Sequence, residues 1–112
     1  MKYAVPVSDG KLATHFGHCQ QFALIDVDET TKTIVNQEFV ASPGHQPGLL
    51  PVWLAEQGAS VIIASGMGSR AQDLFRQNRI KVITNVVEAN PEKAVLDYIG
   101  GTLEVGDDVC DH

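Results

Sequence analysis

The residues of this 112-residue chain best able to do chemistry are four histidines and two cysteines, and none of them falls on an apolar helix stripe or strand face. His15, His18 and Cys19 share the segment Thr14-His15-Phe16-Gly17-His18-Cys19, His45 sits within Pro43-Gly44-His45-Gln46-Pro47-Gly48, and Cys110 and His112 close the chain. Imidazole and thiolate are the ligands that soft or borderline metals take, among them zinc, copper(I) and the iron of clusters. Neither a CxxC nor an HExxH spacing is present, and a lone loop histidine usually means nothing. The metal reading rests on the six as a group. A second feature is Gly66-Met67-Gly68-Ser69-Arg70, between an apolar run and a helical pattern. Such a turn offers backbone N–H groups and the positive end of a helix dipole to an anion, and Arg70 adds charge. It lacks the GKS ending of a phosphate loop and the third glycine of a dinucleotide fingerprint, and glycines at a tight turn need no ligand at all. An anionic metal cluster would suit both features.

Conventional catalysis has less to work with. Ser8, Ser65 and Ser69 are not set in a G-x-S-x-G elbow. A Cys19–histidine dyad would lack an orienting group or oxyanion donor. Asp26, Asp28 and Glu29 cluster in a hairpin, where a solvated turn explains them. No enzymatic turnover is expected.

The elements that must position these residues follow from periodicity. Tyr3 to Ser8 reads as a strand ended by Asp9-Gly10, with Pro6 requiring an unpaired side or a bulge for its nitrogen. Residues 10 to 21 read as a loop. Phe22 to Val27 and Thr33 to Ala41 read as a β-hairpin. Leu49, Leu50, Trp53 and Leu54 make one helical face that stops at Gly58. Ser60 to Ser65 is an apolar run suited to a strand covered on both faces. Ser69 is placed to cap a helix buried through Ala71, Leu74 and Phe75. Lys81 to Val86 reads as a strand, and Asn90-Pro91 opens a helix with core positions Ala94, Val95, Tyr98 and Ile99, ended by Gly100-Gly101. The order implies an α/β protein: a five-stranded mixed sheet with helices on its faces. Right-handed crossovers then bring the loops after the first, third, fourth and fifth strands to one edge, where open α/β sheets bind ligands.

Composition bounds the partners. Eight Lys and Arg against 14 Asp and Glu give a formal charge of −6, and the basic residues are scattered, which disfavours nucleic acid and anionic membranes. No apolar run reaches the roughly 18 residues of a membrane span, the N-terminus lacks a signal-type apolar region, and two distant cysteines make no disulfide framework. The expected setting is cytoplasmic. Glu104, Asp107, Asp108 and Asp111 crowd around Cys110, so residues 1–106 read as a single domain and 107–112 as an acidic Cys/His tail that is either a solvated end or long enough to reach the site edge.

Together, Ala4-Val5-Pro6-Val7-Ser8, the Thr14 to Cys19 segment followed by Phe22, His45 in its Gly/Pro loop, Val61 to Ala71 and the Cys110-Asp111-His112 ending resemble the dinitrogenase iron–molybdenum cofactor biosynthesis family, the type of NifX and of the C-terminal part of NifB. The resemblance covers nearly the whole chain. It implies a three-layer α/β/α, ribonuclease H-like fold and a nitrogen fixation-related role in carrying iron–sulfur or molybdenum–iron–sulfur clusters between donor and acceptor proteins. It makes His15, His18, Cys19 and His45 metal contacts, extended by Cys110 and His112, with Gly66, Gly68, Ser69 and Arg70 lining the anion side. The radical-enzyme half of NifB has no counterpart in the chain, so a self-sufficient cofactor synthase is not expected. Two functions follow: a carrier protein for a metal–sulfur cluster, or a regulatory domain that binds a small anion at the glycine turn.

Overall fold

The computed structural model describes residues 1–13, 19–44 and 48–103. The elements are β1 (Lys2–Ser8), β2 (Lys11–Leu12), β3 (Gln21–Asp28), β4 (Thr33–Ala41), α1 (Leu49–Glu56), β5 (Ala59–Ile63), α2 (Ser69–Gln77), β6 (Lys81–Ile83) and α3 (Pro91–Gly100). The sheet runs β4-β3-β1-β5-β6, with β2 added to the end of β1. β3 is antiparallel to β1 and to β4, whereas β5 is parallel to both β1 and β6. The strand directions agree with those expected from the sequence. The ends of β1, β4, β5 and β6 share one edge.

Alternation along the strands builds two cores. Ala4, Phe22, Leu24 and Ile62 face Leu50 and Leu54 of α1, Phe75 of α2 and Ile80. Tyr3, Val5, Ile25, Val61 and Ile63 face Ala94 and Val95 of α3. Two helices on one face and one on the other make three α/β/α layers. The aromatic rings pin the layers together: Phe22 lies 5.7 Å from Trp53 across the first core, and Tyr3 meets Tyr98 edge-on at 5.9 Å across the second. Such pairs add about 0.5–1.5 kcal/mol to the burial of their area.

Three local details depart from the expected elements. Residues 10 to 21 are not all loop. Asp9 (φ 54°) and Gly10 (φ 80°) form a two-residue hairpin turn that pairs Ser8 with Lys11 and Val7 with Leu12. Positive φ at both central positions matches the right-handed twist of the flanking strands, and Asp-Gly tolerates it. The sheet therefore has six strands, not five. The last strand stops at Ile83; Asn85, with φ 63°, then bends the chain. The cap of α2 is Gly68 in an extended conformation, not Ser69, which is already the first helical residue.

Pro6 is resolved by strand register. Val27 donates to the Met1 carbonyl and Gln20 to that of Val7, so odd residues of β1 bond β3 and even ones face β5. The β5 ladder ends at Ala4. The Pro6 nitrogen thus lies beyond it, and the Pro6 carbonyl accepts from Ala13 instead. The α3 start is as read: the Asn90 side chain accepts from the Lys93 amide at 3.2 Å, with Pro91 following it. Among the described residues no helix is long and apolar enough to cross a membrane.

Candidate functional site

Cys19 sits where three strand ends meet. Its neighbour Gln20 donates to the Val7 carbonyl at 3.0 Å and accepts from the Ser42 amide at 3.0 Å. The chain before β3 is thereby tied to the ends of β1 and β4. The side chain turns inward: Cys19 is 3% exposed and belongs to the first core with Ala13, Ala64 and Met67. Cys19 lies in a connecting segment, as read from the sequence, but in the core and not on an open loop. Reading residues 10 to 21 as a loop, for want of a periodic pattern, missed that Ala13 and Cys19 within it are buried.

Burial sets the chemistry of this thiol. Loss of hydration disfavours the thiolate, and hydrogen bonds from its own backbone and from the Ser42 side chain only partly offset this, leaving its pKa pushed up to about 11. Near neutral pH, Cys19 is a protonated thiol. A metal that takes it as a ligand must first displace the proton.

The glycine turn is the second part. Ala64 and Ser65 extend β5 by bonding the end of β6 and the chain just after it: Ala64 donates to the Ile83 carbonyl at 2.8 Å, and the Ser65 carbonyl accepts from the Asn85 amide at 2.7 Å. Met67 is then buried in the same core as Cys19. Gly68, Ser69 and Arg70 are exposed. Gln72 holds the turn from beneath, its buried side chain donating from Nε2 to the Met67 carbonyl at 3.0 Å and accepting from Arg76 at 3.2 Å. Among the described residues no side chain caps α2. The amides of Ser69, Arg70 and Ala71 have no intrahelical acceptor within reach. A Cβ built on Gly68 meets nothing within 4 Å, so there is open space at that position.

The structure therefore brings Cys19 and the Gly66–Arg70 turn to one sheet edge. His15, His18, His45, Cys110 and His112 lie outside the described residues, as do the acidic tail and the 106/107 boundary. Among the described residues no group of three or more His, Cys, Asp or Glu could hold a metal ion. Two supporting residues were not singled out from the sequence. Ser42 gave no signal, because its contact with Cys19 is purely tertiary. Gln72 stands three residues after Ser69, a Ser-x-x-Gln spacing that suggests a reciprocal cap, yet its amide bonds the turn before the helix.

A family model described as dinitrogenase iron–molybdenum cofactor matches residues 1–101. The chain belongs to that family. The protein MJ0580 of Methanocaldococcus jannaschii, itself uncharacterized, is 30% identical over 112 residues, covering 93% of this chain and 90% of the relative. Among solved structures, that of PH0822 superposes with a TM-score of 0.87 at 29% identity over 96% of each chain. The apo form of the orange protein from Desulfovibrio gigas superposes at 0.70 with 25% identity, covering 94% of this chain and 92% of that one.

Proposed function

We propose that this family member is a carrier that accepts, protects and passes on an iron–sulfur or molybdenum–iron–sulfur cluster, with no turnover chemistry of its own. The family match over residues 1–101 is the observation that carries this reading. It is supported by chemistry at the sheet edge. Cys19 supplies one sulfur ligand once deprotonated, and the uncapped amides of α2 with Arg70 face a net negative cargo. His15, His18 and His45 would complete the ligand set by family resemblance, with Cys110 and His112 as further donors. The partners are then the proteins that deliver and receive the cluster.

The raised pKa of Cys19 gives this carrier a specific property. An apo protein with a neutral, buried thiol resists oxidation and adventitious metal, since the thiolate is the reactive form. Loading exchanges a proton for metal and should strengthen as pH rises. A second reading, a domain that binds a small anion without metal, is favoured by one observation: the open space and uncapped amides at Gly68.

Anaerobic reconstitution with iron, sulfide and molybdate, followed by metal analysis, separates the two. A carrier retains metal as wild type and loses most of it as His15→Ala or Cys19→Ser, while removal of residues 107–112 weakens retention and leaves the fold intact. If the wild type holds no metal, or both point variants hold as much as it does, the carrier reading fails. Binding of molybdate or phosphate that depends on Arg70 alone would then establish the anion reading.

A further inference from the structure

The Ser42 side chain reaches Cys19 from a distant part of the chain. β4 ends at Ala41, and the residue after it is tied back to the start of β3: the Ser42 amide donates to the Gln20 carbonyl at 3.0 Å, one residue from Cys19. Gln20 in turn donates to the Val7 carbonyl at 3.0 Å. The backbones on either side of the contact are therefore fixed to the sheet and to each other. Ser42 is half-buried, and Cys19 lies beneath it in the first core.

A serine hydroxyl has one hydrogen to give and two lone pairs to receive with. The Gly44 amide donates to Ser42 Oγ at 3.4 Å and occupies one of the lone pairs. Across two residues this bond closes a short local turn of a kind that serine commonly makes. The hydroxyl hydrogen is left for another acceptor, and the Cys19 sulfur is within its reach. The backbone amide of Cys19 bonds the same sulfur, and both bonds favour negative charge there, against the effect of burial. A serine kept only for its turn would be indifferent to the charge on Cys19. The bond to sulfur adds a consequence that is felt when the sulfur carries charge.

We propose that Ser42 is a positioning residue for the sulfur ligand: its hydroxyl, anchored by the Gly44 amide, donates to the Cys19 sulfur and keeps that bond when the sulfur is bound to metal. This rests on the carrier reading, and it assigns to Ser42 the tuning of the cargo. A metal-bound thiolate still carries negative charge. A hydrogen bond to it withdraws electron density from the metal–sulfur bond and stabilises the reduced cluster, which holds one more electron, so the reduction potential rises. The donor stands in place before metal arrives, because Gly44 and Gln20 hold Ser42 through backbone groups.

Two measurements on Ser42→Ala and Ser42→Thr test this, one without metal and one with it. In a Cys110→Ser background Cys19 is the sole cysteine, and the infrared S–H stretch of the apo protein reports its hydrogen bonding. The band should shift in Ser42→Ala and return in Ser42→Thr, which keeps the hydroxyl, with circular dichroism unchanged in both. In the full chain reconstituted anaerobically with iron and sulfide, redox titration should give a more negative midpoint potential for Ser42→Ala than for wild type and a restored one for Ser42→Thr, at equal metal content.

An S–H band or a potential that Ser42→Ala leaves unmoved overturns the proposal, as does a threonine variant that behaves like alanine. So does a Ser42→Ala protein that holds no cluster, which would make Ser42 necessary for assembly and not a modifier of a bound cluster. Wild type that takes up no metal overturns the carrier reading and the tuning role with it. Metal retained at an unchanged potential overturns the role of Ser42 alone.

Discussion

The two parts of the candidate site meet at one edge of the sheet but are built in opposite ways. The Cys19 corner is closed: the side chain is 3% exposed, hydrogen-bonded to Ser42 and neutral. The glycine turn is open: Gly68, Ser69 and Arg70 face solvent, and among the described residues no side chain caps the first amides of α2. One part must give up a proton and some packing before it can bind anything. The other already points its dipole outward and waits only for an anion. In the proposed carrier, charge recognition at the turn would precede ligation by the thiol.

Removing the support of the open part should have the largest effect on stability. Gln72→Ala leaves the Met67 carbonyl without its buried donor and leaves Arg76 with Asp73 alone of its two side-chain partners. An unsatisfied buried group costs roughly 1–3 kcal/mol, so urea unfolding should show a loss of about 2–3 kcal/mol. A loss below about 0.5 kcal/mol, the level of an ordinary surface change, would mean that the turn does not depend on Gln72.

The closed part should reveal itself through pH. The Cys19 pKa is raised in the fold to about 11 from an ordinary 9.0, so the folded chain holds a proton that the unfolded chain releases. The contribution is complete below pH 9 and disappears as pH rises towards 11. The stability advantage of wild type over Cys19→Ala should shrink by about 1 kcal/mol between pH 8 and 10, from the linkage relation. A pH-independent difference would show that the thiol is not held neutral.

The smallest expected effect sharpens the contrast most. Gly68 has φ −64° and ψ 152°, a conformation open to any residue, and a Cβ there meets nothing. Gly68→Ala should change stability by no more than about 0.5 kcal/mol. It should nevertheless weaken anion or cluster retention several-fold by filling the space over the uncapped amides, as read by molybdate titration. Unchanged retention would assign the anion contact elsewhere on the edge.

Much of the architecture was legible because burial imposes periodicity. Val61-Ile62-Ile63 reads as a strand covered on both faces, and it is. Asn90-Pro91 reads as a helix start, and the Asn90 side chain accepts the Lys93 amide. Strand directions followed from the handedness of crossovers. The Lys11–Leu12 strand was not legible, since two residues show no periodicity and their pairing depends on the positive φ of both Asp9 and Gly10. The start of α2 at Ser69 was displaced by one residue because Gly68, with no side chain to signal a cap, takes the extended cap conformation.

Residue types and spacing by themselves determined the fold class, the shared edge and the family, because hydrophobic period, chain reversal and short motifs are local properties of the chain. Only tertiary structure decided the state of the functional groups. Cys19 in the sequence is a thiol in a segment with no periodic pattern. Its protonation is set by burial in a core that also holds Ala13 and the Ala64–Met67 segment, distant in sequence. Hydration, not identity, governs ionisation, and hydration is a property of the packed molecule.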